Sequence, residues 1–145
     1  MYKHVLIATD GSELAQKAVD QGLALAKALG ARVTAVTVTE PWPVTMAGDV
    51  VVAYPVEDYE RSAAEAAAKV LAAVTDQAGR QGVPCAALHV KDRFPAEGII
   101  EAAKSTGCDL IVMSSHGRRG LSKLLLGSQA TEVLTSSTVP VLICR

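Results

Sequence analysis

Val112-Met113-Ser114-Ser115-His116-Gly117-Arg118-Arg119-Gly120-Leu121-Ser122-Lys123-Leu124-Leu125-Leu126-Gly127-Ser128 runs out of an apolar strand, through a basic loop punctuated by glycine, into a helix. Asp109-Leu110-Ile111-Val112-Met113 is short, rich in branched aliphatics and bounded by Gly107 and by serines, which reads as a fully buried strand. Beyond Gly127, Ser128 stands before Gln129-Ala130-Thr131-Glu132-Val133-Leu134, where its hydroxyl is placed to cap a helix and leave further backbone N–H groups unpaired. Such groups, at the positive end of a helix dipole, suit an anion. Gly117, Gly120 and Gly127 read as positions of close backbone approach and of positive φ. The loop matches neither G-x-x-x-x-G-K-[ST] nor G-x-G-x-x-G. Glycine and serine before a helix are also ordinary turn and cap chemistry, so the local residues leave phosphate binding and plain capping both open.

Working outward, His4-Val5-Leu6-Ile7-Ala8 is a second continuous apolar strand, followed by the turn Thr9-Asp10-Gly11-Ser12 and a helix from about Ser12 to Leu29 closed by Gly30, with Leu14, Ala18, Leu25 and Leu29 on its inward face. Asp10 and Glu13 stand at capping-box spacing. The alternative for Asp10 is ligand contact, because small molecules bind at the carboxyl ends of central parallel strands. His4 lies at the opposite end of its strand and reads as a surface or packing residue. Residues 32–38 form another β-branched strand, and 39–57, broken by Pro41, Pro43 and Pro55, is a long irregular apolar connection with Trp42 as its anchor.

An alanine-rich helix spans 60–79, with Glu65 and Lys69 at i,i+4 spacing. A strand over 85–90 and a helix from Pro95 to Ser105 follow. His89 reads as a satisfied strand histidine and Arg93 as a solvated loop charge. Val139-Pro140-Val141-Leu142-Ile143-Cys144 is the closing strand, whose proline at its second position is tolerable only near the strand's start or on a sheet edge. Strands thus alternate with helices, which predicts one α/β domain over 1–145, an open five-stranded parallel sheet with helices on both faces. An apolar edge strand is an aggregation hazard unless it is paired, so a homodimer through 139–144 is expected.

A formal net charge of −1 gives no electrostatic case for nucleic acid or an anionic membrane as the main partner. Aromatics are only 3% of the chain, so the core has to be aliphatic. Cys85, Cys108 and Cys144 lack metal-site spacing and read as buried hydrophobes. With neither a leader-like segment nor a membrane-length apolar run, the cytoplasm is the expected location. No nucleophile with a base, paired carboxylates or metal cluster stands out. Ser115 and His116, being adjacent, are expected to point apart and form no dyad. Arg118, Arg119 and Lys123 read equally as solvated charges or as phosphate partners.

At the opening stretch the chain resembles the universal stress protein family, whose pattern G-x2-G-x9-G-[ST] falls here on Ser114, Gly117, Gly127 and Ser128, with Ser in place of the first glycine. The resemblance spans the whole chain, from the strand ending Ala8-Thr9-Asp10 to the closing strand after Pro140. It implies strand order 3-2-1-4-5 and an adenine nucleotide alpha hydrolase-like fold. It also implies ATP as ligand: Ala8, Thr9, Asp10 and Val38 toward adenine and ribose, Met113, Ser114, His116 and Gly117 lining the pocket, and Gly127, Ser128, Gln129 and Ala130 holding phosphates. Asp10 is a possible Mg2+ contact through the phosphates. The function so implied is a dimeric nucleotide-responsive regulatory module in stress response. A dimeric scaffold that binds protein partners and no nucleotide is the alternative, and a slow ATPase the third.

Overall fold

The computed structural model describes residues 1–47, 50–53, 55–117 and 125–145. Its main sheet has five strands, β1 (His4–Ala8), β2 (Arg32–Thr39), β5 (Cys85–Lys91), β6 (Leu110–Ser114) and β7 (Val141–Cys144), in the order β5-β2-β1-β6-β7. Every pairing in it is parallel. Counting only these strands, the order is 3-2-1-4-5, as expected. The chain order reverses direction between β1 and β6, and these neighbours are the most deeply buried strands, as their uninterrupted apolar runs require.

Alternate residues of β1 feed two cores. Val5 and Ile7 pack with α1 (Glu13–Leu29) and α2 (Val56–Gln81), whereas Leu6 and Ala8 pack with α3 (Pro95–Thr106) and α4 (Ser128–Ser136). The period-2 pleat thus sends one strand's side chains into two layers. Small residues set the helix distances. A Cβ on Gly22 of α1 would lie 2.7 Å from Ile7 Cδ1, and one on Gly98 of α3 would lie 2.7 Å from Val38 Cγ1. The inward stripe of α1 is Ala15, Ala18, Val19, Gly22, Leu23 and Ala26. The expected stripe shared only Ala18 with it; Leu14 and Leu25 are half-buried and Leu29 is exposed, because close approach to the sheet selects the small-residue face over the leucines.

The connection expected to be irregular contains an antiparallel hairpin, β3 (Val44–Ala47) with β4 (Val50–Ala53). Its β-branched residues favour strands once Pro41 and Pro43 have stopped any helix. Trp42, read as an anchor there, is half-buried. α2 begins at Val56, earlier than expected, because Pro55 serves as its N-cap residue and Glu57 and Asp58 complement the dipole of its first turn. The last strand begins at Val141, with Pro140 just ahead of it donating nothing and accepting from Ile111 N–H at 2.9 Å. The ion pairs among the described residues are Arg61–Asp58 and Arg93–Glu101, both exposed and worth little; Glu65–Lys69 is not one of them. All three cysteines are free thiols, and burial raises the pKa of each.

His4 is buried, with Nε2 2.7 Å from Thr34 Oγ1 and Nδ1 without a partner. Burial and the neighbouring Arg32 push its pKa below 6.5, against the pull of Asp109. His89, bound through Nε2 to Thr39 Oγ1 at 2.6 Å, is likewise lowered by burial and by Lys91. A folded-state pKa below the unfolded one means the neutral ring contributes stability above about pH 6.5, and the contribution is lost as pH falls toward the folded value. Stability should therefore decline between pH 7 and pH 5, and less so in His4→Gln/His89→Gln, as read by thermal melts. Gly98→Ala should cost about 1–3 kcal/mol by overpacking against Val38, measured by urea unfolding.

Candidate functional site

A cavity of about 540 Å3 opens at the carboxyl ends of β1, β2 and β6, above the point where the sheet order reverses. The twelve residues that the family resemblance implies as nucleotide contacts lie in its wall: Ala8, Thr9 and Asp10 after β1, Val38 from β2, Met113, Ser114, His116 and Gly117 from β6 and its loop, and Gly127, Ser128, Gln129 and Ala130 at the start of α4. The loop after β1 and the loop after β6 meet directly, since a Cβ on Gly117 would stand 3.0 Å from Asp10 Oδ2.

The starts of α1, α3 and α4 all contribute to this wall, and they differ in how their backbone donors are met. At α1, Ser12 Oγ accepts from Ala15 N–H at 3.2 Å, Asp10 Oδ1 accepts from Ser12 N–H at 2.9 Å, and Thr9 Oγ1 accepts from Gly11 N–H at 3.1 Å. Asp10 is therefore the acceptor of a turn, and Ser12, not Asp10, caps the helix. At α3, Pro95 has no N–H to satisfy, and Ala96 N–H donates to the side-chain Oε1 of Gln129 at 2.9 Å. At α4 the N-cap is Gly127, which has no side chain to offer. Ser128, expected as the cap, is the first helical residue. Among the described residues none accepts from the backbone N–H groups of Ser128, Gln129 or Ala130. Among the described residues, α4 is thus the one of the three whose first-turn N–H groups meet no side-chain acceptor, whereas α1 and α3 each have one such group met.

Gly127 is required there for close approach. Its φ is −64°, an ordinary extended value, so the expected positive φ does not occur; nor is Gly117 among the positive-φ glycines. What excludes a side chain is Ser115 O, which accepts from Gly127 N–H at 2.8 Å and would lie 2.6 Å from a Cβ. This contact pins the start of α4 to the end of β6.

Ser114, at the position of the first motif glycine, is buried and donates its hydroxyl to His116 O at 2.7 Å. Its φ is not positive, so a Cβ there brings no backbone strain, and its hydroxyl proton is committed to the turn. Ser115 and His116 do not point apart as expected: Ser115 Oγ lies 3.1 Å from His116 Nδ1, because the chain turns sharply after β6 and folds the ring back. No acidic partner of His116 is present among the described hydrogen bonds, so the arrangement fixes the ring without the third member of a catalytic triad.

Several wall residues gave no signal in sequence. Tyr59 of α2 donates its hydroxyl to Glu40 O at 2.8 Å and, with Ala63, Ala66 and Ala67, closes the side of the cavity facing β2. Burial, then Glu40 and Asp92, raise the Tyr59 pKa. The alanines were legible as helix formers, and only the packing of α2 on the sheet makes them a small-residue wall. Arg93 pairs with Glu101 at 3.0 Å, away from the cavity. Gly120, Arg118, Arg119 and Lys123 lie outside the described residues. No group of three or more His, Cys, Asp or Glu side chains among the described residues is placed to hold a metal ion.

A sequence model of the universal stress protein family matches residues 1–145. The chain belongs to the universal stress protein family. It is 35% identical over 145 residues to a universal stress protein of Thermus aquaticus, covering 100% of each chain. The solved structure of a universal stress protein family member from Burkholderia pseudomallei is similar with a TM-score of 0.77 and 27% identity, over 99% of this chain and 96% of that one. A universal stress protein solved in complex with cAMP is similar with a TM-score of 0.75 and 25% identity, over 99% and 97% of the two chains. No helix among the described residues is long and apolar enough to cross a membrane.

The hydroxyl of Ser114 makes its own test. Ser114→Ala should lower stability by about 1 kcal/mol through the loss of the bond to His116 O, read by chemical unfolding, with the fold unchanged by circular dichroism.

Proposed function

We propose that this chain binds ATP in the cavity above β1 and β6 and acts as a dimeric, nucleotide-responsive regulatory module in the cytoplasm. The observation that carries the reading is the first turn of α4, which lies in the cavity wall and, among the described residues, has no N–H met by a side chain, whereas α1 and α3 each have one. Phosphates accept from the N–H groups of Ser128, Gln129 and Ala130 and from the Ser128 hydroxyl, while the base lies toward Val38 and the alanines of α2. Family membership supports a nucleotide, as does the related protein solved with cAMP. Asp10, beside Gly117, is the carboxylate placed to hold Mg2+, whose remaining ligands come from phosphate oxygens and water. Bound there, the ion would neutralise phosphate charge. Hydrolysis is at most slow, because His116 in the cavity wall has no acidic partner among the described hydrogen bonds.

Dimerisation through β7 is part of the proposal. β7 pairs with β6 on one side only, and Leu142 on it is 38% exposed, so isologous pairing with a second copy covers both edges at once. The scaffold reading draws on Ser114, whose side chain occupies a position that is glycine in the motif of the nucleotide-binding members.

Denaturing the purified protein and identifying what it releases, followed by calorimetric titration with ATP, tests the ligand. The wild type should bind. Ser114→Gly should change affinity less than about tenfold, or 1.4 kcal/mol, and Gly127→Val should abolish binding by driving its side chain into Ser115 O. A wild type that binds nothing while Ser114→Gly does would establish the scaffold reading. Sedimentation should give a dimer at micromolar concentration, and Leu142→Arg should shift it toward monomer.

A further inference from the structure

Resting on the nucleotide reading above, we infer that the Gln129 side chain contributes to the site's preference for ATP over adenosine, by offering an amide N–H donor from the first turn of α4. The family resemblance implies only that Gln129 stands among the phosphate-holding residues, and nothing in the sequence assigns a role to its side chain. The structure does, because the orientation of its amide is determined. A backbone N–H can only donate, and Ala96 N–H lies 2.9 Å from the Gln129 side chain, so the atom it meets is the carbonyl Oε1. The other end of the same planar group is then the NH2, carrying two donors and no acceptor. Among the described residues none accepts from it, and the residue lies in the cavity wall.

The one side chain therefore does two things. Its oxygen satisfies the donor at the start of α3, taking that donor out of competition for the ligand and tying α3 to α4. Its nitrogen, on a first-turn residue of α4 that lines the cavity, is the donor left for a ligand bound at the backbone N–H groups of Ser128, Gln129 and Ala130. A first phosphate held by those backbone groups leaves the next phosphate of the chain within the surroundings of the amide. Adenosine, which has no phosphate, gains nothing from it. The site therefore discriminates between adenosine and ATP partly through a side chain, and not through the helix start alone.

Two variants separate the roles. Gln129→Glu keeps an oxygen for Ala96 N–H and replaces the donor with a negative charge. Gln129→Met keeps the length and removes both functions without adding charge. Affinities for ATP and adenosine would be measured by calorimetry, with thermal melts of the unliganded proteins. Gln129→Glu should melt as the wild type and lose more than about tenfold in ATP affinity. Gln129→Met should melt lower and lose about fivefold or more, the worth of one hydrogen bond. Both should bind adenosine within about twofold of the wild type. Loss in Gln129→Glu alone would show a charge effect, loss in Gln129→Met alone would show that only the tie to α3 matters, and equal loss for adenosine and ATP would show a general disturbance; each overturns the donor role while leaving nucleotide binding intact. A wild type that binds neither ligand would overturn the nucleotide reading as well.

Discussion

The backbone hydrogen bond from Gly127 N–H to Ser115 O holds the start of α4 against the end of β6, and the rest of the site depends on it. A Cβ on Gly127 would come within 2.6 Å of that oxygen, so glycine is required by distance, not by conformation. The absence of a side chain has a second consequence, because an N-cap without an oxygen leaves the donors of the next residues unmet. A turn that must be glycine for packing is thereby also a turn that exposes backbone N–H groups. The structural requirement and the anion-binding capacity are two results of the same missing atoms.

The contrast between the helix starts around the cavity sharpens this. α1 is closed by Ser12 and by the turn at Asp10, and α3 by Pro95 and the Gln129 oxygen. Among the described residues α4 alone of the three has no first-turn N–H met by a side chain, so its donors are the ones a ligand in the cavity can take. The surrounding sheet supplies rigidity. β1 and β6 are buried along their whole length and carry the loops of Asp10 and Ser114, so the facing sides of the cavity are attached to the least deformable part of the chain.

Much of this was legible in sequence where the signal was local. The uninterrupted apolar runs at His4–Ala8 and Leu110–Met113, the stops at Gly30 and Gly107, and Pro95 at a helix start each constrain the residues next to them. The twelve cavity residues implied by the family resemblance come together because the ends of adjacent parallel strands have to meet, although the local residues alone left phosphate binding and plain capping both open. What was not legible depends on partners far away in the chain. Ala96 and Gln129 are neither in one motif nor in one helix, and nothing in a glutamine after Ser128 says which amide atom is occupied. The wall made by Tyr59 and the alanines of α2 exists only once that helix lies on β2. The face of α1 was misjudged because leucines are louder than alanines in a hydrophobic pattern, although close packing favours the smaller residue. The bond of the Ser114 hydroxyl to His116 O follows from a turn that sequence does not reveal.

The central claim is that the open donors of α4 are where phosphate binds. Backbone amide chemical shifts of the isotopically labelled protein, followed through titrations with ATP and then with adenosine, test it most directly. The account predicts that ATP moves the amide resonances of Ser128, Gln129 and Ala130 strongly downfield, that adenosine leaves them nearly in place, and that both ligands shift Val38. Shifts caused by ATP that bypass the first turn of α4, or that are equally large there with adenosine, would contradict it.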